Sequence, residues 1–233
     1  MQLAGSLTWI VFLPLGGAVA VALLPSTRRE AIKTVALCTA ALPVVQSLVL
    51  LLRLDPAVLD FQFVEHFTWA PVLGFEYYLG VDGLSLPLVA MTAAVAFMAL
   101  LSSWSVEQGV KGFVCLVLTL ETGALGVLCA LDTTLWWLFW EMALVPVFLL
   151  VAVWGDGEGR RASRQFLLLS QAGALVLFLA LLALRQHTEH PVTGGPTASL
   201  IHHMRQDFHD LTLATPEFRR LIFSGIALGC GVL

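Results

Sequence analysis

Leu135-Trp-Trp-Leu-Phe-Trp-Glu-Met-Ala-Leu-Val-Pro-Val-Phe-Leu-Leu-Val-Ala-Val-Trp154 is a run of twenty residues whose single charged side chain is Glu141. About 20 apolar residues, rising 1.5 Å each, cover the ~30 Å hydrocarbon core of a bilayer. The run is long enough to cross a membrane. It also holds a residue that such a helix tolerates poorly, because an acidic side chain at a helix centre costs roughly 2.5–3.5 kcal/mol on insertion scales. A carboxylate kept there faces a bundle interior or an aqueous path, and it commonly carries protons. This stretch decides the fold as a membrane bundle and points the function toward ion translocation.

Working outward, five further apolar segments have the same length, at about 7–24, 32–52, 83–103, 112–131 and 165–184. A seventh starts near Leu221 and is still apolar at Leu233, so the chain reads as ending within a helix. The expected fold is an all-α polytopic membrane protein with six full transmembrane helices and a truncated seventh. The composition agrees: 58% of the 233 residues are hydrophobic and 12% charged, and mean hydropathy is +0.88. A soluble domain carries about 25% charge. The net charge of −4 excludes a nucleic-acid binder by bulk electrostatics. No basic residue precedes the first apolar stretch, which favours a retained helix over a signal peptide.

The loops add detail. The first, third and fifth carry Arg28, Arg29, Lys33, Lys111, Arg160, Arg161 and Arg164, seven basic residues against four acids; the opposite side has five against ten. The positive-inside rule then puts the N-terminus outside. Trp9, Trp104, Trp136, Trp137 and Trp154 lie near helix ends, as an interfacial belt requires. In the outer loop 53–82, Phe61, Phe63, Phe67 and Trp69 alternate with Gln62, His66 and Thr68. Pro71 to Gly74 then supplies a turn before Phe75 and Tyr77, which predicts a short β-hairpin. The chain divides into 1–74, two helices with the hairpin loop, and 75–233, the third helix onward. Loop 185–218 contains His187, His190, His202, His203 and His209, but nothing in their spacing forces a metal site. Cys38, Cys115, Cys129 and Cys230 read as small apolar fillers. There is no nucleotide-binding loop, flavin motif or iron–sulfur cysteine pattern, so no cofactor is expected in this chain.

Two acids sit inside helices. Glu121 lies eleven residues before Asp132 and Glu141 nine after it, and Asp132 marks a tight connection between antiparallel helices. Both carboxylates therefore lie roughly 14–16 Å from the same boundary, near the midplane. Burial penalises the ionised form and a nearby cation favours it; a group held between the two can load and release a proton. Depth alone does not say whether the two acids face each other. Pro146 cannot donate to the carbonyl of Met142, which leaves a backbone acceptor close to Glu141. Ser163, Ser170 and Gln171 could extend a polar path, while Arg164 is placed to snorkel to the interface.

Gly80-Val-Asp-Gly-Leu-Ser85, Ser103-Trp104, Ala130-Leu-Asp132, Phe139-Trp-Glu-Met-Ala-Leu-Val-Pro146 and Trp154-Gly155 occur in this order. The set resembles the antiporter-like proton-translocating subunits of respiratory NADH:quinone oxidoreductase (complex I), and within them subunit M, the counterpart of mitochondrial subunit 4. The resemblance covers residues 75–184 well and the first 74 by topology. It implies a fourteen-helix protein with two inverted repeats of five helices, each holding a broken helix and half of a proton path. It also implies that Glu141 is the fifth-helix glutamate whose charge couples to a lysine on the seventh helix, and that Glu121 matches an acid seen in the fourth helix. Two departures stand out. Gln165, preceded by Arg164, occupies the place of a usual lysine, and the chain's lysines, Lys33 and Lys111, are in loops. The implied function is proton translocation in the membrane arm, driven by redox chemistry in partner subunits. The implied partners are the other membrane-arm subunits and the lipid bilayer, and the implied location is the bacterial inner membrane. The alternatives are a subunit of a multi-subunit cation/proton antiporter or membrane-bound hydrogenase, and a non-conducting scaffold.

Overall fold

The computed structural model describes residues 5–58, 60–70, 75–185, 220, 223–227 and 229. Helices α1 (Ser6–Leu23) and α2 (Arg29–Leu51) are followed by strands β1 (Gln62–Ala70) and β2 (Phe75–Val81). Then come α3 (Ser85–Ser102) with a 3-10 turn at Ser103–Ser105, α4 (Val110–Cys129), α5 (Thr133–Trp154) and α6 (Gly159–Arg185). Six described helices are long and apolar enough to cross a membrane. Helix α6 begins at Gly159, six residues before the apolar stretch that predicted it. The added turns carry Arg160, Arg161 and Arg164. A hydropathy window registers only the lipid-facing part of a helix, whereas backbone hydrogen bonding continues into the basic interfacial turn.

Of the expected seventh helix, residues 223–227 are helical. Gly225 and Gly229 lie so close to α6 that a Cβ would come within 2.9 Å of Ala180 and 2.7 Å of Leu177. The remainder of that segment, Cys230 and the histidines of loop 185–218 fall outside the described residues.

Two apolar clusters hold the bundle. One, at the hairpin end, joins Leu7, Ile10 and Val11 of α1 to Leu79, Val81, Leu86, Leu125 and Phe139. The other, at the opposite end, joins Ala18 and Val21 to Ile32, Ala36, Ala40, Leu100, Val114 and Leu118. Between them the buried residues change character: Pro14, Gly17, Pro43, Ser47, Glu121 and Thr122 lie at the intermediate depth. The prolines and the glycine are tolerated inside membrane helices because neighbouring helices replace the packing they lose. Both lysines act at the end away from the hairpin. Lys33 Nζ donates to the Trp104 carbonyl (2.6 Å) and Lys111 Nζ to the Leu24 carbonyl (2.9 Å). Each places a cation at a helix C-terminal end, where the helix dipole favours it.

The predicted hairpin forms as an antiparallel pair, with His66 opposite Tyr78 and Phe67 opposite Tyr77. A bulge falls between Gln62 and Glu65, and Phe63 takes a left-handed backbone conformation there (φ 54°). The extra residue breaks the simple alternation read from the sequence and moves Glu65 to the face that meets α1. Glu65 accepts hydrogen bonds from the backbone N–H groups of Leu7 (2.6 Å) and Thr8 (3.1 Å) and from Thr8 Oγ1 (2.5 Å). Thr8 Oγ1 also meets the Tyr77 hydroxyl at 2.7 Å. The first turn of α1 is thus capped by a strand 58 residues away. Glu65→Ala should lower stability by about 1–2 kcal/mol, the loss of a charged cap, read as a shifted denaturant midpoint in detergent. A midpoint equal to wild type would show that the cap carries no stability.

Candidate proton-relay site

Asp132 begins the corner between α4 and α5. Its Oδ1 accepts from the N–H groups of Thr134 and Leu135, both at 2.9 Å, which caps α5. The Leu131 N–H donates to the Tyr78 carbonyl (2.8 Å), which fixes the corner to the hairpin. From this corner the two helices pack along a small-residue seam. A Cβ on Gly123 would come within 2.8 Å of the Ala143 backbone, and a Cβ on Gly126 would overlap the Phe139 ring. The bare glycines let the backbones approach, as small residues do in membrane helices.

The seam also fixes how the two acids point. Each helical residue turns the chain by about 100°, so a side chain two positions away lies ~200° around. Glu121 is two residues before Gly123, and Glu141 is two before Ala143. Both carboxylates therefore point away from the seam, on opposite outer flanks. Their depths match, but the structure does not bring them together.

Glu121 lies on the face of α4 that carries Leu118 and Leu125, which pack in the two apolar clusters with α1 residues. It is 2% exposed, and neither carboxylate oxygen has a hydrogen-bond partner among the described residues. The flanking threonines do not serve it. Thr119 donates to the Cys115 carbonyl (2.8 Å) and Thr122 to the Leu118 carbonyl (3.1 Å), both on their own helix.

Glu141 faces α6. Its Oε2 accepts from Gln171 Nε2 at 2.8 Å, while Oε1 is buried with no partner among the described residues. Trp137, one turn earlier on the same face, stacks on Phe178 with ring centroids 4.3 Å apart. Its Nε1 is likewise buried without a partner among the described residues. An unpaired donor and an unpaired acceptor thus lie one helical turn apart, beside an exposed glutamine. Trp137 stacks between helices here, where its position near the helix end suggested only a boundary marker; the signal was its i, i+4 spacing from Glu141. Pro146 is buried on the seam side. Ser163 Oγ donates to the Arg160 carbonyl (3.2 Å), so of the α6 polar residues named from the sequence it is Gln171 that reaches Glu141. Arg164 is exposed, with its Nε donating to the Arg160 carbonyl (3.2 Å). Among the described residues no group of three or more His, Cys, Asp or Glu is placed to hold a metal.

Residues 130–213 match the family described as NADH:quinone oxidoreductase/Mrp antiporter, TM. The NAD(P)H-quinone oxidoreductase chain 4 3 of Picosynechococcus sp. is 34% identical over 203 residues, covering 87% of this chain and 36% of that protein. NADH-quinone oxidoreductase subunit M of Rhodobacter capsulatus is 37% identical over 183 residues, covering 76% of this chain and 35% of its own length. The chain thus spans about a third of the length of these relatives. Among solved structures, a chain of respiratory complex I from Thermus thermophilus superposes with a TM-score of 0.76 at 26% identity, over 96% of this chain and 43% of that one. A chain of the Mrp complex from Dietzia sp. shares the fold with a TM-score of 0.75 at 22% identity, over 97% of this chain and 23% of that one. With its six spans, its hairpin and this similarity along most of its length, the chain belongs to the antiporter-like membrane subunits of the NADH:quinone oxidoreductase/Mrp family and is a homologue of subunit M (chain 4).

Proposed function

We propose that the chain is part of a membrane-arm subunit that translocates protons, coupled to electron transfer in partner subunits of a respiratory NADH:quinone oxidoreductase. The observation that carries this reading is Glu141, an acid at mid-membrane depth bonded to Gln171 in the α5–α6 interface. The glutamine amide donates to the carboxylate and holds it in place, while the carboxyl group of Glu141 is the group that takes up and releases the proton. We assign Glu141 the role of proton relay. Glu121 is a second protonatable station on the far side of the seam from Glu141. The division proposed from the sequence keeps residues 75–233 as the incomplete first antiporter-like repeat, with the two N-terminal helices packed on it. The reading places the protein in a bacterial inner membrane with the N-terminus and hairpin outside.

The likeness to an Mrp complex supports the cation/proton antiporter alternative only at the level of fold, whereas the relatives at 34% and 37% identity are quinone oxidoreductase subunits. Affinity-tagged full-length protein, purified from native membranes in mild detergent, should bring down NADH:quinone oxidoreductase activity. Recovery with cation antiporter or hydrogenase subunits, without that activity, would replace the reading with its alternative.

A further inference from the structure

The hairpin lies between two partners. One face, with Glu65 and Tyr77, meets the first turn of α1. The other, with His66, Glu76 and Tyr78, meets the α4–α5 corner. The Leu79–Ala130 bridge, the Leu131 N–H to Tyr78 carbonyl bond and the approach of Leu131 to Gly80 hold this second contact. Two carboxylates are buried in it: Glu76 is 4% exposed and Asp132 1%. His66 Nε2 sits 3.0 Å from Glu76 Oε2, and its ring packs against Tyr78 with centroids 4.6 Å apart. The backbone N–H of Glu76 bonds to the Asp132 carboxylate, and the Glu76 charge acts on it. Asp132 Oδ2 has no partner meeting hydrogen-bond geometry among the described residues.

We propose that Asp132, buried beside Glu76 where the hairpin meets the α4–α5 corner, holds an exchangeable proton, and that its release loosens the hairpin from that corner. The groups facing this cluster are named element by element. Strand β1 contributes His66, while its Glu65 is turned to α1. Strand β2 contributes Glu76 and Tyr78, while Tyr77 is turned to Thr8. The corner contributes Asp132. Asp82, at the start of α3, is committed to the N–H groups of Leu84 (3.0 Å) and Ser85 (2.6 Å). Both lysines act at the other end of the bundle.

The sign follows from the charges. With the Asp132 carboxyl protonated, the buried contact carries the Glu76 charge alone. Once Asp132 ionises, two anions stand against each other in a poorly solvated place. Burial, aided by the charge of Glu76, pushes the Asp132 carboxyl up from 3.8 to about 6, against the opposing pull of the bonds from Leu135, Thr134 and Glu76. Asp132 thus favours the clasped form at low pH and loses that contribution as pH rises from 3.8 toward about 6.

The test is amide hydrogen exchange of the full-length protein in lipid nanodiscs, corrected for intrinsic exchange at each pH. Protection of the Leu131 amide, which donates to the Tyr78 carbonyl across this contact, should fall with rising pH. The fall is on the order of tenfold for each unit by which proton affinity differs between the clasped and released states. The α3 amides serve as reference and should stay level. Asp132→Asn keeps a capping oxygen for Thr134 and Leu135 but removes the charge; it should abolish the pH step and hold the Leu131 amide protected. Glu76→Gln should leave a smaller step, because burial, the larger cause, remains. Protection of the wild-type Leu131 amide that does not change with pH, or a step that survives in Asp132→Asn, would overturn the proposal.

Discussion

Glu141→Gln in the full-length protein, assembled in its complex, should reduce proton translocation on the order of 10²-fold, the low end of what a positioned proton-transfer group contributes. The substitution is conservative in every respect but one. A glutamine carbonyl at position 141 can still accept from Gln171 Nε2, now 2.8 Å from Glu141 Oε2, so the α5–α6 contact persists and assembly should be normal. What disappears is the ability to take up a proton. Glu121→Gln is the informative contrast. Its carboxylate lies on the far flank of the α4–α5 seam, so the loss should be smaller and separable from that at Glu141. Translocation is measured as acidification of inverted vesicles per NADH oxidised. Wild-type pumping by a fully assembled Glu141→Gln variant would remove the relay role.

The second large effect is structural. Gly126→Leu should prevent α4 and α5 from closing, because even a single Cβ at this position overlaps the Phe139 ring. Phe139 has no room to yield: it is 4% exposed and packs against Phe12 with centroids 5.8 Å apart. Overpacking of this kind costs about 1–3 kcal/mol when the surroundings can shift and more when they cannot. The expected outcome is a large loss of assembled protein on native gels. Phe139→Ala in the same chain should restore part of it by vacating the volume. Wild-type assembly of Gly126→Leu alone, or no recovery in the double variant, would show that the seam is not the tight contact described.

These two expectations rest on different kinds of information. Depth was legible from the chain. Counting residues from Asp132 placed Glu121 and Glu141 at one level, and apolar run length gave the six spans. Rotation was not legible, because the direction a helix turns is set by which residues let a neighbour approach. Only the contact of Gly123 with Ala143 and of Gly126 with Phe139 reveals that the two acids diverge. The hairpin was written in the alternation of Phe61 to Thr68, but its bulge was not, and the bulge decides that Glu65 reaches α1. The cluster of His66, Glu76 and Asp132 was illegible for a simpler reason. Its members are up to 66 residues apart and meet only once the hairpin folds over the α4–α5 corner.

The central claim is that Glu141 changes protonation during turnover. Infrared difference spectroscopy of the assembled enzyme, triggered by NADH, reads this directly through the C=O stretch of a protonated carboxyl group. A carboxyl band should appear or bleach on reduction in the wild type and be missing in Glu141→Gln. Difference spectra that coincide in the carboxyl region for the two proteins would contradict the account.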